Sequence, residues 1–308
     1  MSKNKIFIIV LFIIIAVVSS YLYFSEDNVD NINNAKTSID ENNELKIVTS
    51  FYPVYIMTIN VTKNVNNLKV SNMADKLTTC IHDYTLSTED LKNVEKANIF
   101  IETKEGLEPF TDEITNLYKN IRVIDSGKNV DNLIIKEDGE SNSHIWLSLD
   151  NYINQVNEIK NELEELDSNN KDIYEENSKQ YIQKIDDLKQ KYENLNFNGK
   201  KAISLNETLS YLLREVNIDE TLIETDHNNS ALSANEIKQI VDKMKKENIN
   251  IIVLDKDDDM QNANMIAKET NAKIYKLNSA INGENSYDAY LNIMDENYSI
   301  LKEIKENE

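Results

Sequence analysis

The sequence runs to 308 residues with 40% apolar content, room for about two domains of roughly 150 residues each, and that content excludes a wholly disordered chain. Fifty-four acidic residues against 33 basic ones leave a formal net charge of −21, which repels phosphate backbones and draws cations, so nucleic acid is not an expected partner. A single cysteine, Cys80, excludes an intramolecular disulfide framework and a cysteine-rich zinc ribbon; five glycines and two prolines leave little for a Gly-rich phosphate loop.

At the N-terminus, Lys3 and Lys5 precede an apolar run from Ile6 to Phe24, broken only by Ser19 and Ser20 and followed by Glu26, Asp27 and Asp30. As a helix its roughly 19 residues reach about 28 Å, close to the hydrocarbon thickness of a bilayer. Positive charge before the run and acidic residues after it predict an inside N-terminus and an exported body. A cleavable signal peptide is the rival, but its apolar core is usually about 7–15 residues and ends in an A-x-A-like site that is missing here. The expectation is an uncleaved anchor over residues 1–24, holding the chain at the extracytoplasmic face of the cell membrane. No cysteine follows the run, so no lipid-modified cysteine is expected. Residues 25–45, rich in Asn and Asp without apolar periodicity, have the composition of a solvated tether.

From Leu45 onward, short β-rich runs alternate with segments of helical length. KIVTS (46–50), LKVSNM (68–73), NIFIE (98–102) and IRVID (121–125) form one series; KAISLN (201–206), TLIET (221–225), NIIVLD (250–255) and KIYKLN (273–278) form a second. Such alternation predicts an α/β fold of two lobes, each with a parallel sheet covered by helices, over residues 46–170 and 198–308. Between them, over 171–197, Tyr174, Tyr181, Ile185, Leu188, Tyr192 and Leu195 make a narrow apolar stripe on an otherwise charged helix. A coiled-coil dimer would show the same stripe. Because the pattern stops where the second series begins, the expected reading is one connecting helix within a monomer.

Three histidines supply the candidates for chemistry: His82, His144 and His227. An isolated histidine is most often a surface or hydrogen-bonded core residue. His82 and His144, however, both fall where parallel strands finish, the edge at which open α/β folds bind ligands. His82 precedes a helix announced by Ser87 and Asp90 in capping-box spacing, and His144 precedes one opened by Ser148. Two neutral imidazoles at one edge suit a divalent transition ion. Trp146 and Tyr84 are expected to pack beside them. Asp257, Asp258 and Asp259 read as a solvated loop, since the spaced ligands and turn glycine of a calcium loop are missing.

Several segments resemble the metal-binding solute receptors of bacterial zinc and manganese ABC transporters, the adhesin-like lipoproteins. They are KIVTSFYPVYIMTINV, CIHDYTLSTEDLKNVEKANIFIETKEGLEPF, HIWLSLDNYINQVNEI, NETLSYLLREV, SALSANEIKQIVD, and a terminal stretch from AKETNAKIYKLNS to DAYLNIMDENYSILKE, in order from about residue 45 to 303. The resemblance implies two lobes joined by one rigid helix, one zinc or manganese ion in the cleft as transported ligand, and an ABC permease as partner. It maps the first-lobe ligands onto His82 and His144. The third position, a His or Glu in the family, falls on Asn206; the fourth, usually an Asp, falls on Asn278. Both are departures, and an amide oxygen brings no charge to the ion. Glu207 stands in for Asn206 if the loop turns by one residue, and His227 is a further candidate from a strand end.

The alternative is a degenerate relative acting as an interaction or adhesion protein without stoichiometric metal. No enzyme is expected: a metal hydrolase on His82 and His144 lacks an H-E-x-x-H pairing or comparable general base.

Overall fold

The computed structural model describes residues 44–75, 77, 81–103, 106–136, 139–223 and 232–307. The apolar run at 6–24, the tether as far as residue 43, Cys80 and His227 lie outside the described residues, while Leu45, expected to close the tether, is buried as the first residue of a strand. Among the described residues no helix is long and apolar enough to cross a membrane.

The first lobe contains β1 (Leu45–Thr49), α1 (Tyr52–Val61), β2 (Leu68–Asn72), α2 (Thr88–Glu95), β3 (Ile99–Glu102), α3 (Thr111–Leu117) and β4 (Arg122–Asp125). Two long helices follow, α4 (Leu149–Leu166) and α5 (Lys171–Glu193). The second lobe contains β5 (Lys200–Ser204), α6 (Ser210–Glu215), β6 (Ile218–Leu222), α7 (Ala234–Glu247), β7 (Ile251–Asp255), α8 (Gln261–Thr270), β8 (Lys273–Leu277) and α9 (Ala289–Glu306). Both sheets are parallel and share one topology, β2-β1-β3-β4 and β6-β5-β7-β8. This is the α/β class anticipated from the alternation. In each sheet the strand order reverses beside the first strand, opening a crevice at the carboxyl ends of the strands.

The local signals act as their chemistry requires. Ser87 and Asp90 close a reciprocal capping box on α2, and the Ser148 hydroxyl accepts from the Asn151 N–H at the start of α4. Asn64, Asn67, Asn132, Asn198, Asn217, Asn248 and Asn271 all adopt positive φ. With so few glycines in the chain, asparagine supplies the left-handed residues that end helices and open strands. One strand differs from expectation. β6 covers 218–222 rather than 221–225, because the left-handed Asn217 starts the strand directly after α6 and pairs Ile218 with Lys200.

α5 spans 23 residues, about 34 Å at 1.5 Å per residue. Its stripe of Tyr174, Tyr181, Ile185, Leu188 and Tyr192 is buried within the chain. Asn177 donates to the carbonyls of Val61 and Lys63 beside α1, and further along the Tyr192 hydroxyl donates to Met294 O on α9. Tyr152 of α4 stacks on Tyr290 of α9 at 3.7 Å between centroids and shares a 2.9 Å hydrogen bond with Tyr181 of α5. Burial raises all three phenols above their ordinary pKa, which keeps this aromatic joint uncharged.

Candidate metal centre

Short 3₁₀ turns in the connections that follow β2, β4 and β5 hold the candidate donors. The turn Ile81–Asp83 after β2 holds half-buried His82, and its neighbour Ile81 is buried. His144 immediately precedes the turn Ile145–Leu147, whose side chains are all buried. Glu207 opens the turn Glu207–Leu209 after β5. These turns bring one ligand atom from each of His82, His144 and Glu207 within 4.8 Å of one another. Donors about 2.0–2.2 Å from a shared ion lie at most about 4.4 Å apart, so a small inward movement of the side chains suffices to bind one. Among the described residues this is the one such grouping of His, Cys, Asp and Glu.

The imidazole of His144 is held from two sides. The Asn142 side chain accepts from the His144 backbone N–H and meets the ring Nδ1, both at 2.9 Å, while its Nδ2 donates to the Glu207 carbonyl at 2.9 Å. With Oδ1 accepting the backbone N–H, Nδ1 is the ring nitrogen that donates to it, and in that tautomer Nε2 carries the ring's basic lone pair. One amide thus orients His144 and ties the residue carrying the third donor to the same loop. Trp146 packs edge-on to Phe51 at 5.0 Å and against His144 at 5.3 Å, and its Nε1–H donates to Ser279 O across the lobes. His82 and His144 meet at 5.6 Å between ring centroids. Tyr84 packs instead on Phe110 at 5.7 Å and donates to Asp90 of the capping box.

Asn206 and Asn278 are both hydrogen-bonded through their side-chain amides. Asn206 has an extended backbone and caps the Glu207 turn: its Oδ1 accepts from Thr208 N–H at 2.9 Å, and its Nδ2 donates to both oxygens of Asp258 at 3.1 and 3.3 Å. That cap swings the amide toward the loop after β7 and brings the next side chain, Glu207, to the histidines. Asn278 is buried; its Oδ1 accepts from Ala280 N–H, and its backbone exchanges two hydrogen bonds with the Asn297 amide. The acidic run after β7 is not uniformly solvated. Asp258 is half-buried, accepting from Asn206 and from the Asp255 N–H; burial raises its carboxyl pKa while these donors oppose the shift.

Asn142 and Lys136, whose Nζ lies 3.8 Å from the Glu207 carboxylate, were not apparent as site residues in the sequence. For Asn142 a signal existed: an asparagine two residues before a histidine is placed for an Asx turn onto its backbone. For Lys136 there was none.

The family model "ZnuA: Zinc-uptake complex component A periplasmic" matches residues 47–304. The high-affinity zinc uptake system protein ZnuA of Bacillus subtilis is 24% identical over 84% of this chain and 87% of its own length. The manganese ABC transporter substrate-binding lipoprotein scaA of Streptococcus gordonii is 26% identical over 72% of this chain and 77% of its own. The zinc-binding lipoprotein AdcA of Streptococcus pneumoniae is 24% identical, but the chain spans only 56% of its length. Among solved structures, a crystal structure of ZnuA superposes with a TM-score of 0.72 at 22% identity, covering 84% of this chain and 99% of that one. FpvC of Pseudomonas aeruginosa in complex with Mn²⁺ gives 0.75 at 22%, covering 86% and 100%. At these identities the structures attest the fold.

Proposed function

The chain belongs to the family of zinc-uptake complex component A, periplasmic, and we propose that it is the extracytoplasmic receptor that captures a divalent transition ion for an ABC importer. It is a transport component and not an enzyme. In this reading His82 and His144 supply neutral nitrogens, Glu207 supplies the anionic oxygen, and Asn206 and Asn278 shape the wall beside them. The observation that carries it is the convergence of those three donors from three separate loops to within 4.8 Å.

Support for ion capture comes also from the acidic net charge of −21, which raises the local concentration of cations. A nitrogen-rich set with one carboxylate suits zinc, and relatives are named for zinc and for manganese. Hydrogen bonds between the lobes, from Trp146 to Ser279, from Tyr290 to the Trp146 carbonyl and from Tyr52 to Glu284, support capture with modest lobe movement rather than wide hinge closure. Delivery is to a membrane permease. Relatives are named as lipoproteins; we infer that the apolar run 6–24 itself anchors this chain, since its one cysteine, Cys80, stands far downstream.

Elemental analysis of the full chain, purified in detergent without added metal, tests the reading. One equivalent of zinc or manganese is expected, lost in His82→Ala, His144→Ala and Glu207→Gln. A metal-free parent that also takes up neither ion would refute the receptor and favour an interaction protein.

A further inference from the structure

The Lys136 ammonium reaches the Glu207 carboxylate at 3.8 Å, with side-chain exposures of 23% and 18%. Among the described residues Lys136 also lies 4.0 Å from Glu140, which is 77% exposed and so well screened that this contact contributes little. The first-lobe segment bearing Lys136 is built and held. Ile135 and Ser141 form an antiparallel bridge, with Lys136 N–H donating to Glu140 O at 2.8 Å and Asn142 N–H to Ile134 O at 2.8 Å. A single second-lobe hydroxyl clamps both of its arms: Tyr211 accepts from Ile134 N–H at 3.0 Å and donates to Asn142 O at 2.8 Å. Lys136 is therefore brought to Glu207 by buried and half-buried hydrogen bonds rather than by chance contact of a surface side chain.

Glu207 carries the one negative charge among the three donors, and an ammonium beside it draws on the same oxygens that a cation would use. We propose that Lys136 is a tethered competitor for the cargo. It pairs with Glu207 while the ion is absent, opposes the ion by like charge when present, and takes the carboxylate back on release. Affinity is thereby set below what His82, His144 and Glu207 would give alone, as suits a carrier that must hand its load on. The inference rests on the reading of those three residues as the cation site.

The test measures the Zn²⁺ dissociation constant and release rate of the detergent-solubilised full chain by competition with a chromogenic chelator. Lys136→Met keeps the aliphatic stem and removes the charge; it should bind on the order of ten-fold tighter and release correspondingly more slowly. Lys136→Gln, which tolerates a polar setting if methionine disturbs the segment, should shift in the same direction, while Lys136→Arg, which keeps the charge and can fork onto the carboxylate, should bind no tighter than the parent. Unchanged or weaker binding by both neutral variants overturns the proposal and would make Lys136 a support for Glu207. His144→Ala run alongside separates the premises: if it retains the parent's zinc affinity, the site reading itself has failed, whatever the Lys136 variants do.

Discussion

Replacing Asn142 by alanine removes three hydrogen bonds at once: two accepted at 2.9 Å from the backbone N–H and ring of His144, and one donated at 2.9 Å to Glu207 O. At a net worth of about 1 kcal/mol each, their loss should lower folding stability by roughly 2–4 kcal/mol, read as a lower urea midpoint of the metal-free protein. Without the acceptor the His144 ring loses both its orientation and its tautomer preference. Outer-shell substitutions of this kind typically weaken metal binding about 10–100-fold, the range expected for Zn²⁺ in a chelator competition assay. Asn142→Asp is the discriminating control. It keeps an acceptor for both His144 groups but loses the donor to Glu207, so its affinity should fall between parent and Asn142→Ala. If the alanine variant binds zinc as tightly as the parent, the tautomer argument is wrong and His144 is oriented by packing against Trp146 alone.

Acidification should release the ion, since protons compete for imidazoles that bind only when neutral; affinity is expected to fall steadily from neutral pH to about pH 5, measured by chelator competition at fixed ionic strength, and an unchanged affinity would count against a two-histidine site. Tyr211→Phe deletes the hydroxyl joining Ile134 and Asn142 and should cost about 1–2 kcal/mol, with faster hydrogen exchange at the Ile134 amide; unchanged exchange would show that the clamp carries no load. Burial raises the pKa of the Glu220 carboxyl above its ordinary value, with the Glu207 charge adding to the effect and Ser210 and Ser204 opposing it. A carboxyl raised in the folded state contributes stability below its unfolded pKa and loses that contribution as pH climbs through the folded value. Glu220→Gln should therefore raise the urea midpoint near neutral pH, and the gain should vanish near about pH 4, where the parent's carboxyl is protonated.

The two parallel sheets were legible because apolar runs such as NIIVLD separated by amphipathic helices leave few other ways to bury both faces of a strand. Helix starts were legible for the same local reason: Ser87 with Asp90, and Ser148, satisfy orphan N–H groups within a few residues of themselves. The strand β6 was misjudged because its start depends on a left-handed Asn217, which composition does not reveal. At the site, the offset between Asn206 and Glu207 could be framed but not decided from sequence. It turns on whether the Asn206 amide caps its own turn and reaches Asp258, a partner 52 residues away in an acidic run with the composition of a solvated loop. Asn278 is likewise committed to the turn at Ala280 and to Asn297 on α9, and Lys136 meets Glu207 only because the two lobes close on each other.

The chain has a single tryptophan, and it is the one packed at a tilt beside His144. The molecule therefore carries its own optical probe: indole emission arises from one position, 5.3 Å from an imidazole whose electronic state changes when it takes up an ion or a proton. Occupancy can be followed in the unmodified protein by steady-state or stopped-flow fluorescence, without dye or label.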